Sequence, residues 1–98
     1  MKVIWSEKAN QDYENALDFW DDYNGSPIYS DKIESEIEKI IQEISNPECI
    51  YLGRYYKKLN LYIRGILNNR FQIYFSINEE KQLIEIIHFK GAKQETSI

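Results

Sequence analysis

Arg70-Phe71-Gln72-Ile73-Tyr74-Phe75-Ser76-Ile77 alternates polar and apolar side chains without a break, placing Phe71, Ile73, Phe75 and Ile77 on one side and Arg70, Gln72, Tyr74 and Ser76 on the other. A repeat of two residues is that of a β-strand with one buried face. Asn68-Asn69 precedes it and suits a tight hairpin turn, because asparagine tolerates positive φ. Leu61 to Leu67 is then the strand before it. Leu83 to Phe89, reached through Asn78-Glu79-Glu80-Lys81, is the strand after it. The three form an antiparallel meander with one apolar face in need of cover.

The cover lies upstream, where the period changes to that of a helix. Ala9, Tyr13, Ala16, Leu17 and Trp20 fall on one helical face, with Glu7, Asp12, Glu14, Asp18 and Asp21 on the others, and Asn24-Gly25 ends the run. Ser26-Pro27 opens a second helix, with serine as cap and proline at the first position, where its missing N–H costs nothing. Its stripe is Ile33, Ile37, Ile40, Ile41 and Ile44, and Ser45-Asn46-Pro47 stops it. The short link makes the two helices an antiparallel hairpin. Lys2 to Trp5 reads as a further strand pairing along the sheet, closed by Ser6 as the cap of the first helix. The expected fold class is therefore α+β, a helix hairpin and a small sheet packed as two layers. Residues 1–90 are expected to form one domain and 91–98 a flexible tail, and whether 50–58 add another strand stays open.

Charge divides the chain. Residues 1–48 hold four cations against twelve anions, and residues 49–98 hold eight against four, within an overall net charge of −4. The basic half is rich in tyrosine, above all Tyr51-Leu52-Gly53-Arg54-Tyr55-Tyr56-Lys57-Lys58. Such asymmetry suits one surface meeting an acidic partner while another faces solvent or a basic one. No stretch has the length and apolarity of a membrane span, and the first residues lack a signal peptide's apolar run, so a cytoplasmic location is expected. Cys49 is the only cysteine and His88 the only histidine, too few for a transition-metal site, and no cofactor signature is present.

Some residues carry chemistry by type and position. Aromatics interleaved with cations over Arg54 to Lys58 suit stacking on a single-stranded nucleic acid, and equally suit a strand with lysines in water. Arg64 and Arg70 flank Asn68-Asn69 and can form a two-arginine anion site or stand as solvated charges. His88 is a candidate general acid or base, and also an ordinary packed strand residue. A Cys49–His88 nucleophilic dyad lacks a third, orienting group. Phe19 lies off the apolar stripe of its helix; exposure there marks a partner site, burial a core position.

The opening Val3-x-Trp5-Ser6-x-x-Ala9-x-x-Asp12-Tyr13 resembles the hydrophobic-Trp-Ser-x-x-Ala-x-x-Asp-Leu start of the RelE/ParE superfamily of type II toxin-antitoxin toxins, the plasmid-stabilisation type. Asn46-Pro47 is similar to that family's helix stop. Arg64, Phe71-Gln72-Ile73-Tyr74-Phe75 and Ile86-Ile87-His88-Phe89-Lys90 resemble its sheet pattern, Arg … Tyr-Arg-Ile-x-Tyr … Ile-x-His-x-Arg. The resemblance implies a cytosolic bacterial toxin that inhibits growth, either by poisoning DNA gyrase, as ParE-like members do, or by cutting mRNA on the ribosome, as RelE-like members do. It also implies a cognate antitoxin that neutralises it. Leu67 and Gln72 stand where the nuclease branch carries arginines, and the basic cluster after the last strand is thinned to Lys90 and Lys93. A ribosome-dependent nuclease also needs positive charge for phosphate contacts, which a net −4 does not supply. The ParE-like, non-enzymatic branch is favoured, with target contacts at Lys57, Lys58, Arg64, Arg70 and Lys90. The RelE-like alternative would use Arg64 or Arg70 on phosphate and His88 on protons. A third reading is an antitoxin-binding module without toxicity. In each, a lysine- or arginine-rich antitoxin would dock on the acidic helices and be anchored by Tyr13, Phe19, Trp20 and Tyr23.

Overall fold

The computed structural model describes residues 1–46 and 54–91. Strand β1 (Lys2–Trp5) leads into helices α1 (Glu7–Asn24) and α2 (Ile28–Ser45), followed by strands β2 (Arg54–Tyr56), β3 (Leu61–Ile66), β4 (Phe71–Asn78) and β5 (Leu83–Gly91). They make one sheet in the order β1-β5-β4-β3-β2. The meander β3-β4-β5 is antiparallel, as its turns require, and β2 adds an antiparallel edge. β1 pairs with β5 in parallel, so the sheet is mixed rather than wholly antiparallel. A parallel neighbour needs a long crossover between the paired strands, and the helix hairpin is part of it.

Ser6 starts α1 as its residue type predicts, its Oγ accepting from the Ala9 N–H at 3.0 Å. Gly25 ends the helix in the left-handed region at φ 63°, with its N–H bound to the Asp21 carbonyl. The second start shifts by one residue: Pro27 occupies the cap, and Ser26 Oγ accepts from the Ile28 N–H at 3.2 Å. The hairpin is closed by Ser30, whose buried hydroxyl contacts the Asp21 carboxylate and the Pro27 carbonyl.

The two helices cover one face of the sheet. Ile33, Ile37, Ile40 and Ile44 are buried against Ile66, Phe71, Ile73, Phe75, Ile84, Ile86 and Phe89, each isoleucine contributing about 1.5–3 kcal/mol. Along the covered face, the register puts Trp5, Ile86, Phe75, Tyr62 and Tyr55 in a single row across all five strands. Tyr13 joins the row by stacking on Trp5 at 5.0 Å and meeting Phe89 edge-on at 5.2 Å.

One irregularity decides which face β5 presents. Tyr74 pairs with His88 while Phe75 pairs with Ile86, leaving Ile87 as an extra residue, a β-bulge. Strict alternation from Ile84 and Ile86 would send His88 inward and Phe89 outward. The bulge reverses this, burying Phe89 and turning His88 to the uncovered face. Gly91, expected to begin the tail, closes β5 opposite Phe71; 92–98 lie outside the described residues. So does 50–53, while 54–56 do form a strand.

Candidate functional site

The uncovered face of the sheet is built by register. Arg54 on β2 pairs with Ile63, Ile63 with Tyr74, and Tyr74 with His88, so these four side chains cross four strands on one side. A second row beside it is Gly65, Gln72 and Lys90. Tyr74 sits at the centre: its ring meets the His88 imidazole edge-on at 5.7 Å, Lys90 Nζ lies 5.1 Å from its centroid, and its hydroxyl donates to Gln72 Oε1 at 3.3 Å. Partial burial holds the His88 pKa below its ordinary value, reinforced by Lys90 and Lys8 and opposed by Asp12. The imidazole is therefore neutral at pH 7 and able to accept a proton.

The basic residues singled out in the sequence do not gather on this face. Arg64 pairs with Ile73 on the covered side, and its Nη2 donates to both carboxylate oxygens of Glu43 on α2, at 2.9 and 3.0 Å. Its side chain is only 20% exposed, and Nη1 is buried without a hydrogen-bond partner. Arg70 is exposed in the 67–70 turn, separated from Arg64 along the hairpin by the Gly65–Gln72 and Ile66–Phe71 pairs. The structure thus gives two separate arginines rather than one anion site. Lys57 and Lys58 are exposed in the 57–60 turn, at the opposite end of β3 from Arg70, about 20 Å away at 3.3 Å per strand residue. Arg70 and Lys90 do share an end of the sheet, since Lys90 pairs with Gln72 beside the start of β4. Tyr74, the hub of the open face, was visible only as a polar-side residue of a strand; nothing in its spacing marked it.

The 67–70 turn carries its own backbone signature. Leu67, Asn68 and Asn69 all adopt positive φ, at 51°, 59° and 64°, natural for asparagine and costly for leucine. Leu67 is retained there by packing against the core. Asn69 folds over Gly65 so closely that a Cβ at Gly65 would lie 1.8 Å from Asn69 Oδ1. A side chain at Gly65 would have to turn the exposed Asn69 amide aside, since the Asn69 backbone itself stands at an ordinary 3.5 Å.

The four aromatic anchors expected on the helices divide in two. Tyr13 and Trp20 pack against the core; Tyr13 is buried enough, and close enough to Glu34 and Glu38, for its pKa to rise to about 12. Phe19 is 52% and Tyr23 69% exposed, with rings stacked at 5.9 Å. Ile28, 79% exposed just beyond the hairpin turn, extends this apolar end and was missed. Its signal was available: it lies outside the isoleucine stripe of α2. Cys49 lies outside the described residues, as does Lys93. Among the described residues no three His, Cys, Asp or Glu side chains converge, and no helix is long and apolar enough to cross a membrane.

The chain superposes on one from the "Chromosomal ParDE TA system from P. aeruginosa" with a TM-score of 0.74, 18% identity, and coverage of 93% of this chain and 95% of that one. The chain has the RelE/ParE-like fold. At this identity the likeness speaks for architecture alone. No family model matches the sequence, and no curated protein matches it.

Proposed function

We propose that this chain is the toxin of a type II toxin-antitoxin pair, that it inhibits growth by binding a target such as DNA gyrase without cutting RNA, and that a cognate antitoxin neutralises it. The observation that carries the reading is the near full-length likeness to a chain of a ParDE system. The open sheet face, with Arg70 at its rim and Lys90, Tyr74 and His88 across it, is the surface assigned to the target. Lys57 and Lys58 form a second basic contact at the other end. The exposed Phe19, Tyr23 and Ile28, flanked by Asp18 and Asp22, are assigned to the antitoxin, whose basic side chains would meet those carboxylates.

Among the described residues the one arginine in the open-face rows, Arg54, lies two strands away from Tyr74, which favours inhibition over cleavage. Phosphodiester cleavage needs developing negative charge to be neutralised where it forms. Gln72 is neutral, and the Arg64 guanidinium is held by Glu43 on the covered side. A RelE-like ribonuclease is the second reading, favoured by one observation: a neutral His88 beside Tyr74 and Lys90.

Viable counts after induced expression, with and without the neighbouring gene, test the first reading. A loss of viability that the neighbour reverses is the expected result. Gyrase supercoiling and cleavage of ribosome-bound mRNA, measured on purified protein, separate the branches. Cleavage lost with His88→Ala would overturn the first reading and establish the second. A folded protein that binds its neighbour and never slows growth would be an antitoxin-binding module.

A further inference from the structure

Helix α1 runs the same way as β5 and outlasts it. Ser6 sits at the Ile86 and Ile87 carbonyls and Tyr13 meets Phe89, but β5 stops at Gly91 while α1 continues to Asn24. From Tyr13 to Tyr23 the helix advances about 15 Å; from Phe89 to Gly91 the strand advances about 7 Å. The tip of the helix hairpin therefore overhangs the end of the sheet. It carries the exposed Phe19, Tyr23 and Ile28, and the exposed Asp18 and Asp22 lie one helical turn apart beside the two rings. The same end of the molecule carries the 67–70 turn. Tyr23 meets Trp20 edge-on at 5.4 Å, Trp20 meets Tyr29 at 4.9 Å, and Tyr29 lies 6.4 Å from Phe71, which follows Arg70 in the chain. Ring contacts thus connect the acidic aromatic tip to the exposed Arg70. Asp18, Asp22 and Arg70 take no part in the ion pairs among the described residues.

A surface that carries a feature and its complement side by side is self-complementary. About a two-fold axis, the carboxylates of one copy face the guanidinium of the other, and the reciprocal contact forms at the same time. Exposed aromatic and aliphatic side chains with charges around them have the make-up of a protein–protein contact. A partner that matched only the acidic tip would leave Arg70 unused, whereas a second copy uses both. We propose that this end is a self-association surface, on which a second copy of the chain docks through reciprocal contacts of Asp18 and Asp22 with Arg70, covering Phe19, Tyr23 and Ile28. These few side chains fall well short of the roughly 20–30 residues a side of a standard interface, so the dimer is weak, with a Kd on the order of tens of micromolar or above. The inference rests on the exposed end and not on the toxin reading. Where that reading holds, a second copy competes with the antitoxin for Phe19 and Tyr23.

Sedimentation velocity of the full chain from about 1 µM to about 1 mM tests this, and a reversible monomer–dimer transition within that range is expected. Asp18→Lys combined with Asp22→Lys should weaken dimerisation about tenfold or more, and Arg70→Glu should do the same. All three positions are exposed, so the circular dichroism of these variants should match that of the parent. Mixed together, the two variants should dimerise again, because lysine then faces glutamate at one contact and aspartate faces arginine at the other. A chain that stays monomeric to the top of the range overturns the inference. So does a dimer that the charge changes leave intact, and so does a mixture that fails to recover. Growth beyond the dimer also overturns it, since a two-fold contact closes on itself.

Discussion

The Ser6 hydroxyl donates to the Ile87 carbonyl at 3.0 Å, joining residues 81 apart in the chain, and the same oxygen accepts from the Ala9 N–H. One side chain thus caps α1 and holds the bulged residue of β5, while the Ser6 N–H reaches the Ile86 carbonyl at 2.8 Å. The start of the helix and the facing of His88 are coupled through it. Ser6→Ala is expected to lower stability by about 1–2 kcal/mol, the usual cost of a lost cap with a second hydrogen bond removed. Urea denaturation measures this, and a change in the His88 ring resonances should accompany it. An unchanged midpoint would dissociate the bulge from the cap.

Arg64 and Glu43 offer a second test. Glu43→Ala removes the acceptor from a guanidinium that is largely buried, and about 1–3 kcal/mol of stability should go with it, discounted for the partial exposure of the carboxylate. Replacing both residues by methionine should cost less than Glu43→Ala, because no unpaired charge is left behind. Equilibrium unfolding of Glu43→Met, Arg64→Met and the double variant, read as a double-mutant cycle, gives the coupling.

Gly65→Ala should change stability by less than about 1 kcal/mol, because the exposed Asn69 amide that meets the new Cβ can turn away while the Asn69 Cα stands at an ordinary 3.5 Å. A loss of about 2 kcal/mol or more in thermal unfolding, recovered by adding Asn69→Gly, would show instead that the amide is fixed in place.

His88 sets the sign of a pH effect. Its folded pKa lies below the ordinary 6.5 chiefly through burial, so the unfolded chain binds the proton more readily. Stability is therefore fully present above pH 6.5 and declines as pH falls from there through the folded pKa. His88→Gln should flatten this portion of the profile. An identical slope in the variant, measured by urea midpoints between pH 5 and 7.5, would assign the titration to another group.

The aromatic end of the helix hairpin separates partner binding from folding. Phe19→Ser and Tyr23→Ser should change stability by no more than about 0.5 kcal/mol, being exposed, and should weaken binding to the neighbouring gene's product by about tenfold or more if they anchor it. Trp20→Ala, which packs on the core and meets Tyr29 edge-on at 4.9 Å, should cost about 2–4 kcal/mol of stability. Calorimetry of binding and of unfolding on the same variants distinguishes the two roles.

The sequence by itself determined both helices, the meander and its buried face, because those depend on which neighbours share a side of the same segment. The isoleucine stripe of α2 and the alternation through Phe71 to Ile77 are repeats within a few residues, and the hairpin asparagines declare their φ locally. Asn24-Gly25 and Ser26 marked the helix boundaries to within a residue for the same reason. Only the tertiary structure decided that β1 runs parallel to β5, that Glu43 holds Arg64, and that Phe19 and Tyr23 lie exposed while Tyr13 and Trp20 do not. It also decided that His88 faces out. Alternation along β5 sends His88 inward, and only the bulge, tied to Ser6 at the far end of the chain, turns it over. These outcomes depend on contacts between segments distant in sequence, whose cost and gain no local pattern records.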